Sequence, residues 1–546
     1  MKYSFLSLAL MASMICSCGN KDNPTPEPTP AAPTTITLSV SSKSVAQAGE
    51  SFDVTITAPA RPTLTLPAWI TKTDGTFKDY KITFKLNVAA NDSYDERSDD
   101  VVVKSTGAAD VTLKVTQAGK EEVKDPELPD NDAVAMSNTL GLGYNLGNQL
   151  DALINWDTDN IHYPDETCWG NDLATKATFD GIKAAGFTSV RIPVSWLRMI
   201  GDAPDYQIDE TWMNRVAELV DYAHQAGLYV IVNTHHDENH YYDYVSDLDK
   251  QIAKKELDAS RKAPLIELYN RYHWQDIRQA ATDNAKNQQI KEEITAVWTQ
   301  IANQFEDCGD WLIMEGFNEI NDGGWGWSDE FRADPTKQCG VLNEWNQTFV
   351  DAVRASRGNN ATRWLGVPTY AANPQYAQYL TLPNDPVHKT MLAVHFYDPS
   401  DFTIGSAQYS DWGHTGATGK KATWGDEDHV KDIFGALYKN YVEKNIPVYW
   451  GEFGCSMRDK SNARAWAFYK YYMEYVVKAA KTFGMACFLW DNGTKSVGQE
   501  QHGYIDHGTG EYIGNSKEII DVMLRARFTT DASYTLQSVY DSAPKF

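Results

Sequence analysis

Positive charge is scarce in this chain. Its 546 residues carry 49 Lys and Arg against 74 Asp and Glu, a formal net charge of −25. A surface that acidic repels nucleic acid and anionic lipid, so neither is expected as a partner. Cysteine is scarce too: seven in all, two of them within the first 18 residues. The rest, Cys168, Cys308, Cys339, Cys455 and Cys487, are scattered without CxxC spacing. That argues against a disulfide framework and against a zinc site, and it leaves them as mostly buried small side chains. Beyond the N-terminus no run is long and apolar enough to span a bilayer. What the chain does have is 42% hydrophobic residues, with 17 Trp and 29 Tyr. That is enough to bury a core, and flat rings of this kind also suit stacking against sugar faces.

The N-terminus reads as a targeting segment. Lys2 supplies a charge and Phe5 to Ile15 is apolar but short. Ile15-Cys16-Ser17-Cys18 followed by Gly19 resembles a bacterial lipoprotein box, with Cys18 as the lipidated residue; the alternative is a plain signal peptide. Residues 1–18 are thus expected to be a lipoprotein signal. Residues 19–33, rich in proline, form an extended tether. The protein is then expected to be a secreted or cell-surface lipoprotein of a Gram-negative outer membrane, touching the membrane only through its lipid, and a monomer.

Residues 34–118 alternate apolar and polar in short runs: Phe52, Val54, Ile56; Ile82, Phe84, Leu86, Val88; Val111, Leu113, Val115. Period two with turn residues between runs predicts a small all-β sandwich. Trp69-Ile70, Asn87-Val-Ala-Ala-Asn91, Glu96-Arg97-Ser98 and Val115-Thr-Gln-Ala-Gly119 resemble the BACON domains of Bacteroidetes carbohydrate-active enzymes. The resemblance implies either a carbohydrate-binding module or a spacer. Residues 119–133, charged and with Pro126 and Pro129, read as a linker.

From 134 to 528 eight apolar runs recur: 143–146, 190–194, 229–232, 312–314, 364–367, 391–394, 447–450 and 486–490. Helix-spaced residues such as Met213, Val216, Ala217, Val220 and Ala223 separate them. Gly186, Gly227 and Gly484 stand where helices stop before strands. Eight alternations predict an α/β fold, a (β/α)8 TIM barrel, with its longest insertion at 237–290 and a C-terminal extension at 529–546. The active site of that fold lies at the C-terminal ends of the strands.

Those ends are polar. They carry Asn145 and Asn148, then Arg191 and Trp196, then His235-His236-Asp237. Next come Glu315 with Asn318-Glu319, His395 with Tyr397, Glu452, and Trp490-Asp491-Asn492. Buried carboxylates are costly unless paired or used. Strands four and seven face each other across a barrel mouth, so Glu319 and Glu452 can converge. Two carboxyl groups about 5 Å apart are what a retaining glycosidase needs, one with a raised pKa and one ionised. Arg191 and Tyr397 are expected to keep Glu452 ionised. Glu315 reads as a buried partner inside the barrel.

These motifs resemble glycoside hydrolase family 5: Asn145-Leu-Gly-Asn148, Val190-Arg-Ile-Pro-Val194, Asn233-Thr-His-His236, Asn318-Glu319, His395-Phe-Tyr397, Gly451-Glu-Phe-Gly454 and Trp490-Asp-Asn-Gly493. Glu166-Thr-Cys-Trp169-Gly-Asn, Asn346-Gln-Thr-Phe-Val and Val367-Pro-Thr-Tyr370 look like the subfamily of endoglucanases, xyloglucanases and lichenases. The resemblance implies Glu319 as acid/base, Glu452 as nucleophile, Asn318 on the sugar 2-hydroxyl and Trp490 beneath the sugar. It implies Arg191, His235, His395 and Tyr397 around the substrate, and Asn148, His236 and Trp169 are further candidates for binding it. The substrate implied is a plant β-1,4-glucan, and neither a cofactor nor a metal is expected.

Trp325 and Trp327, in a glycine-rich loop after Glu319, are expected to wall the cleft; Trp412 and Trp424 are weaker candidates, and Trp274 is open between cleft and anchor. Two alternatives stand: a β-mannanase or xylanase with the same chemistry, and a non-catalytic glycan-binding lipoprotein, against which the presence of both glutamates argues.

Overall fold

A computed structural model describes residues 31–120, 124–154, 164–405 and 409–546. The signal segment, Cys18 and residues 19–30 of the tether lie outside the described residues. The chain divides into two compact units, Met1–Glu122 and Val123–Phe546.

The first unit is all-β. Its strands are β1 (Thr37–Leu38), β2 (Ser42–Val45), β3 (Ser51–Thr57), β4 (Thr63–Thr65), β5 (Ile70–Asp74), β6 (Lys81–Val88), β7 (Arg97–Lys104) and β8 (Val111–Gln117). They form two four-stranded sheets, ordered β1-β3-β6-β5 and β2-β8-β7-β4. Pairing is antiparallel except between β2 and β8, which run parallel. The alternation expected of β6 is present: Ile82, Phe84, Leu86 and Val88 are buried while Lys81, Thr83 and Lys85 face solvent. Those residues meet Val101, Val103, Leu113 and Val115 in one apolar cluster.

The second unit is the barrel. Its strands are β9 (Leu142–Leu146), β10 (Ser189–Ile192), β11 (Tyr229–Asn233), β12 (Leu312–Glu315), β13 (Leu365–Pro368), β14 (Thr390–Phe396), β15 (Val448–Phe453) and β16 (Ala486–Asp491). All pair in parallel, and β16 closes onto β9. Such strands are covered on both sides, which is why they read as unbroken apolar runs. Gly186, Gly227 and Gly484 each take a positive φ just beyond a helix, the conformation that ends helices at least cost.

The barrel interior is layered. At the bottom, Ile231, Ile313, Met391, Ala393 and Phe488 pack with Met136 and Leu140 of the helix Asp132–Leu140, which plugs the lower end. Above them lies a polar layer built around Arg191. The 237–290 insertion is mostly helical, with Tyr241–Lys254 and Lys262–Tyr272 packed through Tyr244, Leu248, Leu265 and Tyr269. Trp274 is buried there, so it anchors the insertion. At the other end, the helix Leu536–Asp541 buries Leu536 and Val539 in the barrel's main core, so residues 529–546 belong to the packed unit. Of the five later cysteines, all free, three are buried, Cys308 is half-buried and Cys168 is exposed. Among the described residues no helix is long and apolar enough to cross a membrane.

Candidate active site

Strand register brings the polar residues together. Arg191 lies opposite Asn145, Glu315 opposite Asn233, and His395 opposite Glu452. The ladder slips between Val394 and His395 and again beyond Trp450, bulges of the kind that re-aim side chains beside active sites.

Arg191 is the hub, fully buried. Its Nη2 donates to Glu315 Oε1 at 2.6 Å and to Asn318 Oδ1 at 2.8 Å. Its Nη1 donates to Asn145 Oδ1 at 3.0 Å and to Glu452 Oε1 at 2.9 Å. Burial would lower its pKa, but the Glu315 and Glu452 carboxylates more than reverse that, so it stays charged. Glu315 is the buried partner expected of it: beyond Arg191 it accepts from Tyr449 Oη at 2.6 Å and Asn233 Nδ2 at 3.0 Å. Gly366 makes room for that tyrosine, since a Cβ there would fall 2.1 Å from its hydroxyl.

The two glutamates stand above this layer. Tyr397 donates to Glu452 Oε2 at 3.0 Å. His395 Nδ1 is 2.7 Å from Glu319 Oε1 and 3.7 Å from Glu452 Oε2. A carboxylate oxygen of Glu319, a nitrogen of His395 and a carboxylate oxygen of Glu452 all fall within 4.8 Å of one another. Burial raises Glu319 to about 7, with the charge of Glu238 adding to it. Burial also raises Glu452 above its ordinary value, although His395 and Arg191 pull the other way. The pull expected of Arg191 is therefore present but smaller than the effect of burial. Burial lowers His395 to about 4, so its imidazole is neutral at pH 7.

Around this pair, the ring of Trp490 lies parallel to His235 with centroids 5.8 Å apart. Gly147 permits this placement, because a Cβ would sit 2.6 Å from the indole. His235 Nε2 is 4.0 Å from Glu452 Oε1, and burial holds its pKa well below the usual histidine value. His236 lies between Asp151 at 3.8 Å and Glu238 at 3.7 Å, with the exposed Trp169 tilted against it at 5.7 Å. His236 is half-buried, which works to lower its pKa, but those carboxylates raise it to about 9. Asn148 takes a positive φ and contributes its backbone, donating to Asp151 and accepting from Asn171.

Trp325 and Trp327 are exposed in the loop that follows Glu319 in sequence, with Trp325 hydrogen-bonded to Asp243 and packed on His240. Trp424 is also exposed, 42%. Trp412 is not: it is 2% exposed, packed on Tyr471, Tyr472 and Tyr475, and its indole N–H donates to Gly425 O. Its glycine-rich surroundings belong to a loop folded over the barrel wall, so it is core and no part of a cleft.

The His-His-Asp tripeptide does not converge on one point. Asp237 turns inward and accepts from the backbone N–H groups of Trp196 and Leu197. Asp151, Tyr449, Asp491 and Glu238 are the supporting residues whose roles sequence reasoning missed. Tyr449 is hidden inside an apolar run, whereas Asp491 stands at a strand end and accepts from Tyr144 Oη at 2.6 Å.

Residues 154–496 match the model of the cellulase family, glycosyl hydrolase family 5. The chain belongs to that family. Endoglucanase A of Paenibacillus barcinonensis is 34% identical over 390 residues, covering 68% of this chain and 84% of the relative. Among solved structures, a GH5-4 broad specificity endoglucanase from Bacteroides salanitronis is 45% identical, with a TM-score of 0.65 over 75% of this chain and 99% of the other. A Bacteroides ovatus GH5 xyloglucanase in complex with a XXXG heptasaccharide is 27% identical, with a TM-score of 0.58 over 91% of this chain and 100% of that one. The family 5 barrel is thus the part of the chain on which Glu319 and Glu452 stand.

Proposed function

We propose that this family 5 protein is a retaining endo-β-1,4-glucanase in which Glu319 is the acid/base and Glu452 the nucleophile. The observation that carries the reading is the separation of the two glutamates, whose oxygens come within 4.8 Å with His395 alongside. Retaining glycosidases need carboxyl groups about 5–5.5 Å apart, while inverting ones need about 6.5–9.5 Å to admit a water between them.

In the first step Glu452 attacks the anomeric carbon, the bond from that carbon to the leaving oxygen breaks, and Glu319 gives that oxygen its proton. In the second, Glu319 takes a proton from water, the water oxygen bonds to the anomeric carbon and the ester to Glu452 breaks. A Glu319 carboxyl at about 7 carries the proton the first step needs. Arg191 and Tyr397 hold the Glu452 carboxylate by charge and hydrogen bonding. Asn318, fixed by Arg191, offers its amide to the sugar 2-hydroxyl, and Trp490 gives the sugar a flat face. Trp169, Trp325 and Trp327 extend aromatic surface along the cleft.

The substrate class is a soluble β-1,4-linked glucan: cellulose-like, mixed-linkage or xyloglucan. The names of the relatives support it, as do the exposed tryptophans. The N-terminal unit is read as a BACON-like spacer. Its Trp69 is covered by the Arg97 guanidinium at 4.6 Å and gives no sugar platform. Cys18 with its proline-rich tether supports anchoring at the cell surface, and the chain is read as a monomer. The test is hydrolysis of barley β-glucan, xyloglucan, carboxymethyl cellulose, glucomannan and xylan with products sized early. Falling viscosity and mixed oligosaccharides from the glucans are expected. Activity confined to glucomannan or xylan, or release of mono- and disaccharides alone, would overturn the reading.

A further inference from the structure

A cavity of about 310 Å³ is built by the loops that follow β14, β15 and β16, and it shares no residue with the surroundings of the two glutamates described above. Tyr409, Met457, Ala465 and Val497 make much of its wall apolar. Two features set into that wall are positive.

The first is Arg458. It is 4% exposed, and its Nε and Nη1 have no hydrogen-bond partner. Its Nη2 donates to Phe402 O, and the guanidinium carbon lies 5.0 Å from the centre of the Phe402 ring. The carboxylates nearest in sequence and on the cavity rim are turned to other groups. Asp459 accepts from Ser461 N at 2.8 Å, and Asp411 accepts from Arg464 Nε at 2.7 Å. A buried charge is ordinarily paired, because taking it out of water costs more than one carbonyl and a ring face return.

The second is the start of the helix Ala463–Thr482. Asn462 caps it, accepting from Ala465 N at 3.2 Å, and both residues line the cavity. A helix of 20 residues leaves its first N–H groups and the positive end of its dipole at that point. A guanidinium with free donors beside a helix N-terminus is an arrangement that holds an oxyanion.

We propose that this cavity binds the carboxylate of a single acidic sugar, a hexuronate. Arg458 and the helix start take the carboxylate, and Tyr409, Met457 and Val497 lie against the ring. A bare inorganic anion would leave those apolar walls without a partner. The volume stands at the lower end of the range of roughly 300–1,000 Å³ for small-molecule pockets, which suits one ring and excludes a chain. The inference does not depend on which glutamate serves as acid.

The test is isothermal titration calorimetry of the full chain with glucuronate at constant ionic strength, with glucose and inorganic phosphate as the comparison ligands. Glucuronate should bind at one molecule per chain, with a Kd on the order of 1 mM. Glucose and phosphate should each bind about tenfold more weakly or not at all. Arg458→Met should fold, because an apolar side chain in place of an unpaired buried charge is neutral or stabilising, and it should weaken glucuronate binding by about tenfold or more. Val497→Glu is the second variant. Val497 is 55% exposed, so the change is tolerated, and it puts a carboxylate on the cavity wall that competes for Arg458. It too should abolish binding. Absence of glucuronate binding in the wild type, or binding that survives in Arg458→Met or Val497→Glu, overturns the proposal. Glucose binding as tightly as glucuronate overturns the role of Arg458, and phosphate doing so overturns the role of the sugar ring.

Discussion

Arg191 and Glu452 meet at 2.9 Å although they stand on β10 and β15, with β9 and β16 between them in the barrel. The guanidinium reaches across because Glu315, Asn145 and Asn318 hold its other donors in one plane. Arg191→Met should leave Glu315 and Glu452 buried without a counter-charge, lowering stability by about 3–5 kcal/mol. Arg191→Lys keeps the charge but loses the fork, so it should fold better than the methionine variant and still lose activity by about 100-fold or more. Thermal melts read beside kcat on β-glucan check both; equal melting temperatures for wild type and Arg191→Met would refute the hub.

The rate should follow a bell in pH. Glu319 must be protonated, and its pKa lies near about 7, so kcat/KM falls as pH rises through that value. Glu452 must be ionised, and burial raises it above the ordinary carboxylate, so the acid limb falls higher than an exposed glutamate would give. Activity that persists undiminished two pH units above neutrality would contradict the assignment of the acid.

Much of this architecture is legible in the order of the residues. The eight barrel strands are, because a parallel strand covered on both faces announces itself as an apolar run. So is the convergence of Arg191, Glu319, His395, Tyr397 and Glu452, because strand ends are where this fold places chemistry. What escapes has a physical reason in each case. Tyr449 looks like core on a strand, and only its hydroxyl at Glu315 shows otherwise. Trp412 sits among glycines, which signal a loop but not whether the loop folds back on the wall. Glu238 stands in a histidine-rich stretch whose pairing depends on the fold of the insertion.

A truncated chain beginning at Val123 should keep the wild-type rate, because the helix Asp132–Leu140 and its cap then remain. Asn131 caps that helix by accepting from Val134 N, and its amide donates to Val442 O at 2.9 Å. Beginning at Val134 instead removes the cap and should lower stability by about 1–2 kcal/mol. The comparison of melting temperatures between the two chains checks it, and identical values would show the cap to be idle.

Chelator should leave the rate unchanged, since the reaction proposed runs on carboxyl groups alone. Among the described residues two clusters bring ligand atoms close enough to hold an ion, Asp151 with His235 and His236, and Glu319 with His395 and Glu452. A large loss on dialysis against chelator, restored by one divalent ion, is the contrary result.

The separate roles of the two glutamates can be read from leaving groups and product anomers. Glu319→Ala should be severe on natural glucan, whose leaving oxygen needs a proton, and milder in the first step on an aryl glycoside that departs unaided. Glu452→Ala should be severe on both, because no covalent intermediate forms. Azide separates them further. In Glu319→Ala the covalent intermediate still forms, with inverted configuration on Glu452, so azide attacks from the opposite face and yields a β-glycosyl azide. In Glu452→Ala azide enters the space the carboxylate vacated and attacks the β-glycoside directly, yielding the α product with Glu319 still serving as acid. Proton NMR distinguishes the two anomers. A swap of products between the variants would exchange the two roles. Release of α-configured sugar by the wild type would end the retaining mechanism, and with it the meaning assigned to the short separation of Glu319 and Glu452.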